Sequence, residues 1–281
     1  MHAIELEWIQ WIQNFRTPAL DFFFQCMRFF DRPEFIFVLI PVVWLNYGWK
    51  NGLRLFYIVF FNALFSVVLK NLFASPRPYE LSHQLGIIHA AGYGFPSGAA
   101  QLCMLLGGLY ITYSKNSMKW AIVIAYVFFV SLSRVYLGVH FPSDILGGWI
   151  AGLAMLFIVL YFMPRIEKKL KAVNVYKLLS LHAFVIPSLA ISCSVYPELS
   201  YVGCTIGFGV GLWLCHRFKV GLAIARGSKE YLLRGVLGVL GVFLLYKGFP
   251  TLKLFQSFLA AMWISFFAIL LFRQKVFLRK K

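Results

Sequence analysis

Apolar residues run through this chain in long stretches broken by short polar joints, as at 121–132, 145–163 and 255–272. Each stretch approaches the ~20 residues needed to cross a bilayer core, the first only when its flanks are included. The pattern predicts nine spans, at 33–49, 53–73, 97–113, 119–137, 143–163, 176–193, 199–215, 231–246 and 252–272. Ahead of them, Ile4, Trp8, Trp11, Ile12 and Phe15 recur at helical spacing with Glu5, Glu7, Gln10, Gln13 and Asn14 between them. Such a helix either lies in the membrane interface on its tryptophans or packs against the side of the bundle. Thr17-Pro18 reads as a cap and first helical turn, and Asp31 and Pro33 give a similar signal before the first span. The expected fold is all-α: a polytopic membrane helix bundle of about nine transmembrane helices plus N-terminal interfacial helices.

Composition agrees with the pattern. Hydrophobic residues make up 60% of the chain and charged residues only 13%, where a soluble globule carries nearer ~25% charge. Lipid must cover the excess apolar surface. The net charge of +17 would suggest nucleic acid, but the basic residues sit in short joints between apolar spans, with no basic stripe interleaved with stacking aromatics. Of the 27 lysines and arginines, 19 fall in the odd-numbered loops and the tail, from Lys50 and Arg54 to Lys280 and Lys281. That side is expected to be cytoplasmic, which puts the N-terminus and the even loops outward, in periplasm or lumen, and suits a bacterial inner membrane. No cleavable signal segment is expected, because Glu5 and Glu7 stand where a basic region belongs. The five cysteines lie in apolar segments without metal-ligand spacing and read as small buried hydrophobes. Glycines spaced four apart, at 148 and 152 and at 203, 207 and 211, read as close helix contacts, as does the tighter series Gly235, Gly238 and Gly241.

Two outward regions hold the unusual polar residues. One runs from Lys70 through Arg77-Pro78 to Pro96-Ser97-Gly98-Ala99; the other is Ser133-Arg134 through His140 to Asp144. A phosphoryl group spreads charge over its oxygens and needs fixed cations and amide donors around it. Lys70, Arg77 and Arg134 are candidate cations, and the amides of Ser97 and Gly98 open a predicted helix whose dipole favours an anion. His140 can attack phosphorus through a ring nitrogen, and Asp144, four residues on, can hold the other ring nitrogen. Taken singly, each has a plainer reading: a snorkelling lysine, a loop charge, a span anchor, a helix cap. Their convergence on one side of the membrane is what points to chemistry.

The order K-x6-RP, PSG, SR-x5-H-x3-D resembles the signature of the type-2 phosphatidic acid phosphatase superfamily, which includes lipid phosphatases, glucose-6-phosphatase and vanadium haloperoxidases. Lys70, Arg77, Pro78, Pro96, Ser97, Gly98, Ser133, Arg134, His140 and Asp144 carry the match. The resemblance implies that Lys70, Arg77, Ser97, Gly98 and Arg134 hold phosphate, that His140 is the nucleophile and that Asp144 orients it. It also implies a phosphohistidine intermediate hydrolysed by water, with no metal and no cofactor. The nine-span layout is similar to glucose-6-phosphatase.

One position departs. Where the family has PSGH, this chain has Ala99, and alanine cannot protonate a leaving group. Loss of a general acid typically costs ~10² to 10⁴ in rate. The rest of the signature is intact, which favours an engineered replacement of the acid histidine over a naturally non-catalytic relative. His83 and His89, in the same loop, read as solvated histidines, and Ile87 and Ile88 as contacts for an acyl or prenyl chain. The expected layout is N-terminal helices over 1–32, a phosphatase core over 33–164 and a four-span extension over 165–281. The expected function is a lipid phosphate or diphosphate phosphatase, with undecaprenyl diphosphate first, then phosphatidylglycerol phosphate, phosphatidic acid and lipid A. Its partners would be that substrate and membrane lipids. A phosphotransferase using the same site, and a non-catalytic phosphate-lipid binding or transport protein, are the alternatives.

Overall fold

The structure, a computed structural model, describes residues 2–112, 117–170, 199–248 and 252–277. Among these it is helical throughout, without strands. The order is α1 (His2–Gln13), α2 (Pro18–Met27), a 3-10 turn (Arg28–Asp31), α3 (Pro33–Tyr47), α4 (Trp49–Phe73), the short α5 (Pro78–Leu81), α6 (Gly98–Thr112), α7 (Ser117–Tyr136), α8 (Pro142–Leu170), α9 (Leu199–Arg217), α10 (Ser228–Gly248), α11 (Lys253–Met262), a π turn (Trp263–Phe267) and α12 (Ala268–Phe277). Eight of the predicted spans coincide with helices; the sixth, 176–193, lies outside the described residues. Five helices are long and apolar enough to cross a membrane, and those at Glu34–Tyr47 and Gly98–Thr112 are apolar but shorter. The protein is an integral membrane, all-α protein.

Two compact units divide the chain: Met1–Arg32 with Phe61–Ile166, and Pro33–Phe60 with Glu167–Lys281. In the first, Thr17 caps α2 by accepting from the Leu20 amide at 3.2 Å, with Pro18 opening the helix. Helix α1 buries Ile9 among Leu85, Ala100, Val135, Phe141 and Ile145, and leaves Trp8 and Trp11 exposed. Its inner face is thus core, while its outer face keeps the tryptophans free. Gly148 and Gly152 on α8 lie against α6, where an added methyl would sit 2.6 Å from the Ser97 and Gln101 carbonyls. This contact brings the start of α6 beside the start of α8.

The second unit is held by apolar packing. Trp44 stacks on Phe208 at 4.6 Å between centroids, within a core that includes Ile40, Leu45, Phe56, Val242 and Ile264. Gly203, Gly207 and Gly211 of α9 face Leu254, Phe258 and Ser265 too closely for any side chain. The regular glycine spacing therefore marks helix contacts, as expected in lipid. No phosphate cradle forms there.

Candidate active site

The signature residues come from four places in the first unit. Lys70 lies near the end of α4, Arg77 caps α5, Ser97 caps α6, and Arg134 ends α7 beside the turn that carries His140 into α8. That turn is built locally. The amides of Val139 and His140 both donate to the Arg134 carbonyl, at 3.2 and 3.3 Å. Gly138 supplies a left-handed φ of 71°, and a methyl there would collide with the Leu85 carbonyl. Only glycine satisfies both demands.

His140 and Asp144 form a buried pair. His140 Nδ1 lies 3.2 Å from Asp144 Oδ2, and the same oxygen accepts from the Phe141 amide at 2.9 Å. On the other side, Arg77 Nη1 lies 3.4 Å from His140 Nε2. A guanidinium can only donate, so Nε2 faces it as an acceptor and the ring proton belongs on Nδ1, toward the carboxylate. Burial, followed by the charges of Arg77, Lys70 and Arg134, holds the imidazole well below the ordinary histidine range. His140 is therefore neutral at neutral pH, with a lone pair on the nitrogen that faces the cations.

The three cations are not equivalent. Arg77 donates from Nε to the Gly92 carbonyl at 2.7 Å, from Nη1 to Val139 at 2.9 Å and from Nη2 to Ala91 at 3.0 Å. Its backbone amide is capped by Glu80 at 3.0 Å. Lys70 donates to the Tyr93 carbonyl at 2.6 Å and the Gly94 carbonyl at 3.3 Å. Both therefore tie the 91–94 loop over the site as well as supplying charge. Arg134 differs: it is 2% exposed, and its Nε and Nη1 have no hydrogen-bond acceptor. Nη1 does lie 3.1 Å from Asp31 Oδ2, an ion pair whose angle falls outside hydrogen-bond geometry. A planar guanidinium with unspent donors has hydrogen-bonding capacity left for an acceptor.

The amides at the start of α6 also divide. Ser97 N–H donates to the Asp144 carbonyl at 3.0 Å, so it fastens the loop to α8 and is not open to an anion, against the expectation from sequence. Gly98, the first residue of α6, has no acceptor for its amide among the described residues. Ser97 Oγ faces the Ala100 amide at 3.5 Å, as a weak cap.

Ala99 is buried, and its methyl packs with Cys103, Val123, Val127 and Val130, with Phe30 and Tyr126 at the edge. No titratable side chain is supplied at that position. His89 lies edge-on to Tyr79 at 4.8 Å, so it belongs to the loop's own packing. Ile87 and Ile88 pack half-buried against Phe24, Tyr136 and Val139, which makes them loop core instead of a free surface for a lipid chain.

The N-terminal helices supply partners that periodicity did not indicate. Glu5 accepts from the Ser143 amide at 2.8 Å and so caps α8 from another helix. Gln13 donates to the Leu85 and Tyr136 carbonyls at 2.9 and 2.8 Å. Asp21 accepts from Tyr136 at 2.6 Å and from Arg16. Asp31 reaches Arg134. Their only sequence signal was polarity on an otherwise apolar pattern.

A buried His–Asp pair thus lies among the charges of Arg77, Lys70 and Arg134, at the ends of helices. Residues 51–168 match the PAP2 superfamily, the type-2 phosphatidic acid phosphatases. The chain is 28% identical over 147 residues to an undecaprenyl-diphosphatase of Sulfolobus acidocaldarius, covering 48% of this chain and 71% of that protein. It is 31% identical over 127 residues to phosphatidylglycerophosphatase B of Bacillus subtilis, covering 42% of this chain and 61% of that one. The crystal structure of a transmembrane PAP2-type phosphatidylglycerolphosphate phosphatase from Bacillus subtilis shares the fold, with a TM-score of 0.50 and 24% identity over 59% of this chain and 87% of that one.

Proposed function

We propose that this protein is a membrane lipid phosphate or diphosphate phosphatase working through a phosphohistidine intermediate. The observation that carries the reading is the His140–Asp144 pair, with Nε2 turned to Arg77 and Nδ1 to Asp144. Arg134 and the Gly98 amide hold the phosphoryl oxygens, while Lys70 and Arg77 add positive charge and keep the loop in place. Ser97 serves by anchoring that loop. The His140 Nε2 lone pair attacks phosphorus, the bond to the leaving oxygen breaks, and water then cleaves the N–P bond. Asp144 stabilises the imidazolium that forms between the two steps.

The distribution of basic residues supports a site on the periplasmic or lumenal face, with the C-terminus cytoplasmic. A site at helix ends suits a substrate whose tail stays in lipid. Undecaprenyl diphosphate is the first choice, supported by the name of one relative; phosphatidylglycerol phosphate, phosphatidic acid and lipid A follow. With Ala99 in place of a histidine, turnover of substrates with poor leaving groups is impaired.

The test is phosphate release in detergent micelles from these four lipids by the chain, its Ala99→His variant and its His140→Ala variant. Release should rise with histidine at 99, by ~10² to 10⁴ where no other group serves as donor to the leaving oxygen, and fall to background without His140. An Ala99→His protein that keeps its melting temperature yet releases phosphate from none of the lipids would overturn the reading.

A further inference from the structure

Breaking a P–O bond to an alcohol, or to the phosphate of a lipid diphosphate, leaves an oxygen that needs a proton. Position 99 offers only a methyl group in an apolar cluster. Among the residues packed at the edge of that cluster is Phe30, whose ring lies 5.1 Å from that of Tyr126. Phe30 belongs to the 3-10 turn Arg28–Asp31, so the turn packed on the cluster that holds Ala99 also carries the next side chain, Asp31. Its carboxylate reaches Arg134 Nη1 at 3.1 Å, with the arginine side chain 3% exposed and the aspartate 37%. Asp31 therefore stands at the open edge of the proposed phosphate seat, on a buried arginine whose Nε and Nη1 have no hydrogen-bond acceptor.

Neighbouring carboxylates are engaged elsewhere. Asp144 holds His140 and the Phe141 amide, Glu80 caps Arg77, Glu5 caps α8, and Asp21 binds Arg16 and Tyr136. We propose that Asp31 is the proton donor to the leaving group in this chain, in the role that a side chain at 99 cannot fill. The proposal rests on the phosphatase reading above.

The resting ion pair gives the order of events. A phosphate ester monoanion entering the seat takes the Arg134 donors from the carboxylate and passes its own proton to Asp31. His140 Nε2 then forms the N–P bond. The P–O bond breaks, and its electron pair takes the proton from Asp31, leaving a carboxylate and a neutral alcohol. In the second step water attacks phosphorus, and the N–P bond breaks with its electron pair returning to His140. Both water protons leave with the product as the phosphate monoanion, so Asp31 ends as the carboxylate it began as.

Leaving-group dependence tests this. The full chain and its Asp31→Asn and Asp31→Glu variants are purified in detergent. Each is assayed on dodecyl phosphate, whose alkoxide needs a proton, and on 2,4-dinitrophenyl phosphate, whose phenolate does not; vanadate binding reports an intact site. Asp31→Asn should lower kcat on dodecyl phosphate by ~10² or more and on the dinitrophenyl ester by less than ~10-fold, with Asp31→Glu recovering part of the alkyl activity. Equal losses on both esters, or none, would overturn the proposal. So would a gain in vanadate affinity together with a gain in both activities, since Asp31 would then be a competing internal anion. A parent chain that cleaves the dinitrophenyl ester but never the alkyl ester has no donor at all, which also sinks it. A parent chain that binds vanadate but cleaves neither ester removes the phosphatase reading itself, and this proposal with it.

Discussion

Each compact unit buries an arginine to 2% exposure, Arg134 in one and Arg234 in the other, and the two are spent differently. Arg234 Nη1 donates to the Leu45 and Ala223 carbonyls at 2.9 and 2.6 Å, Nη2 pairs with Glu230, and the guanidinium lies 5.8 Å from the Phe272 ring centroid. Only its Nε lacks a partner. Arg134 has no carbonyl on Nε or Nη1, and its one charged partner is the half-exposed Asp31. A buried cation surrounded by backbone acceptors ties chain segments together. One left with open donors has its charge compensated by something that arrives. Arg77, which touches His140 yet is bound by three carbonyls, stands between the two.

Exchanging the arginines would sharpen the contrast most. Arg134→Ala should weaken vanadate binding by ~10²-fold, corresponding to loss of charge-assisted hydrogen bonds worth ~1.5–3 kcal/mol, with only a modest change in melting temperature. Arg234→Met should do the reverse. It leaves the buried Leu45 carbonyl without this donor, at a cost of ~1–3 kcal/mol, and vanadate affinity of the folded fraction should be preserved. Thermal unfolding and vanadate titration on both variants check this, and matching behaviour would dissolve the comparison.

The pH profile probes the same cations through His140. Its folded pKa is lowered by burial and by Arg77, Lys70 and Arg134, so the neutral imidazole persists as pH falls from 7 through the ordinary histidine value of ~6.5. The acid limb of kcat/KM from His140 should lie below that value, and Arg77→Gln should move it upward. The stability sign follows. Below ~6.5 the unfolded chain takes up a proton that the folded His140 refuses, so stability present above that pH declines toward the folded pKa. An acid limb above ~6.5 would show that the cations do not act on this ring.

The smallest effect concerns the segment that brings Asp31 to the site. Thr17→Ala removes the cap on α2 and should cost ~1 kcal/mol, read as a lowered unfolding midpoint. A loss above ~3 kcal/mol would mean that the N-terminal helices hold the first unit together more than one cap implies.

The helices at Trp49–Phe73, Ser117–Tyr136 and Ser228–Gly248 were legible because lipid demands long apolar runs and gives them no competing period. The His140–Asp144 pair was legible because four residues across a helix start suffice to bring two side chains together. Glu5 on Ser143, Gln13 on Leu85 and Asp31 on Arg134 were not, since their partners lie far along the chain. The spending of Ser97 N–H on Asp144 was equally hidden, because a helix-start amide looks free until a neighbour's carbonyl occupies it.

The sequence by itself determined the membrane class and the helix-contact glycines, which follow from residue type at short spacing, and it offered Lys70, Arg77, Ser97, Gly98, Arg134, His140 and Asp144 as candidates through their resemblance to a signature. Only the tertiary structure decided which of those donors are already engaged and which carboxylate reaches Arg134. Hydrogen-bond capacity is settled by what packs against a group, and here the decisive neighbours come from helices distant in the chain.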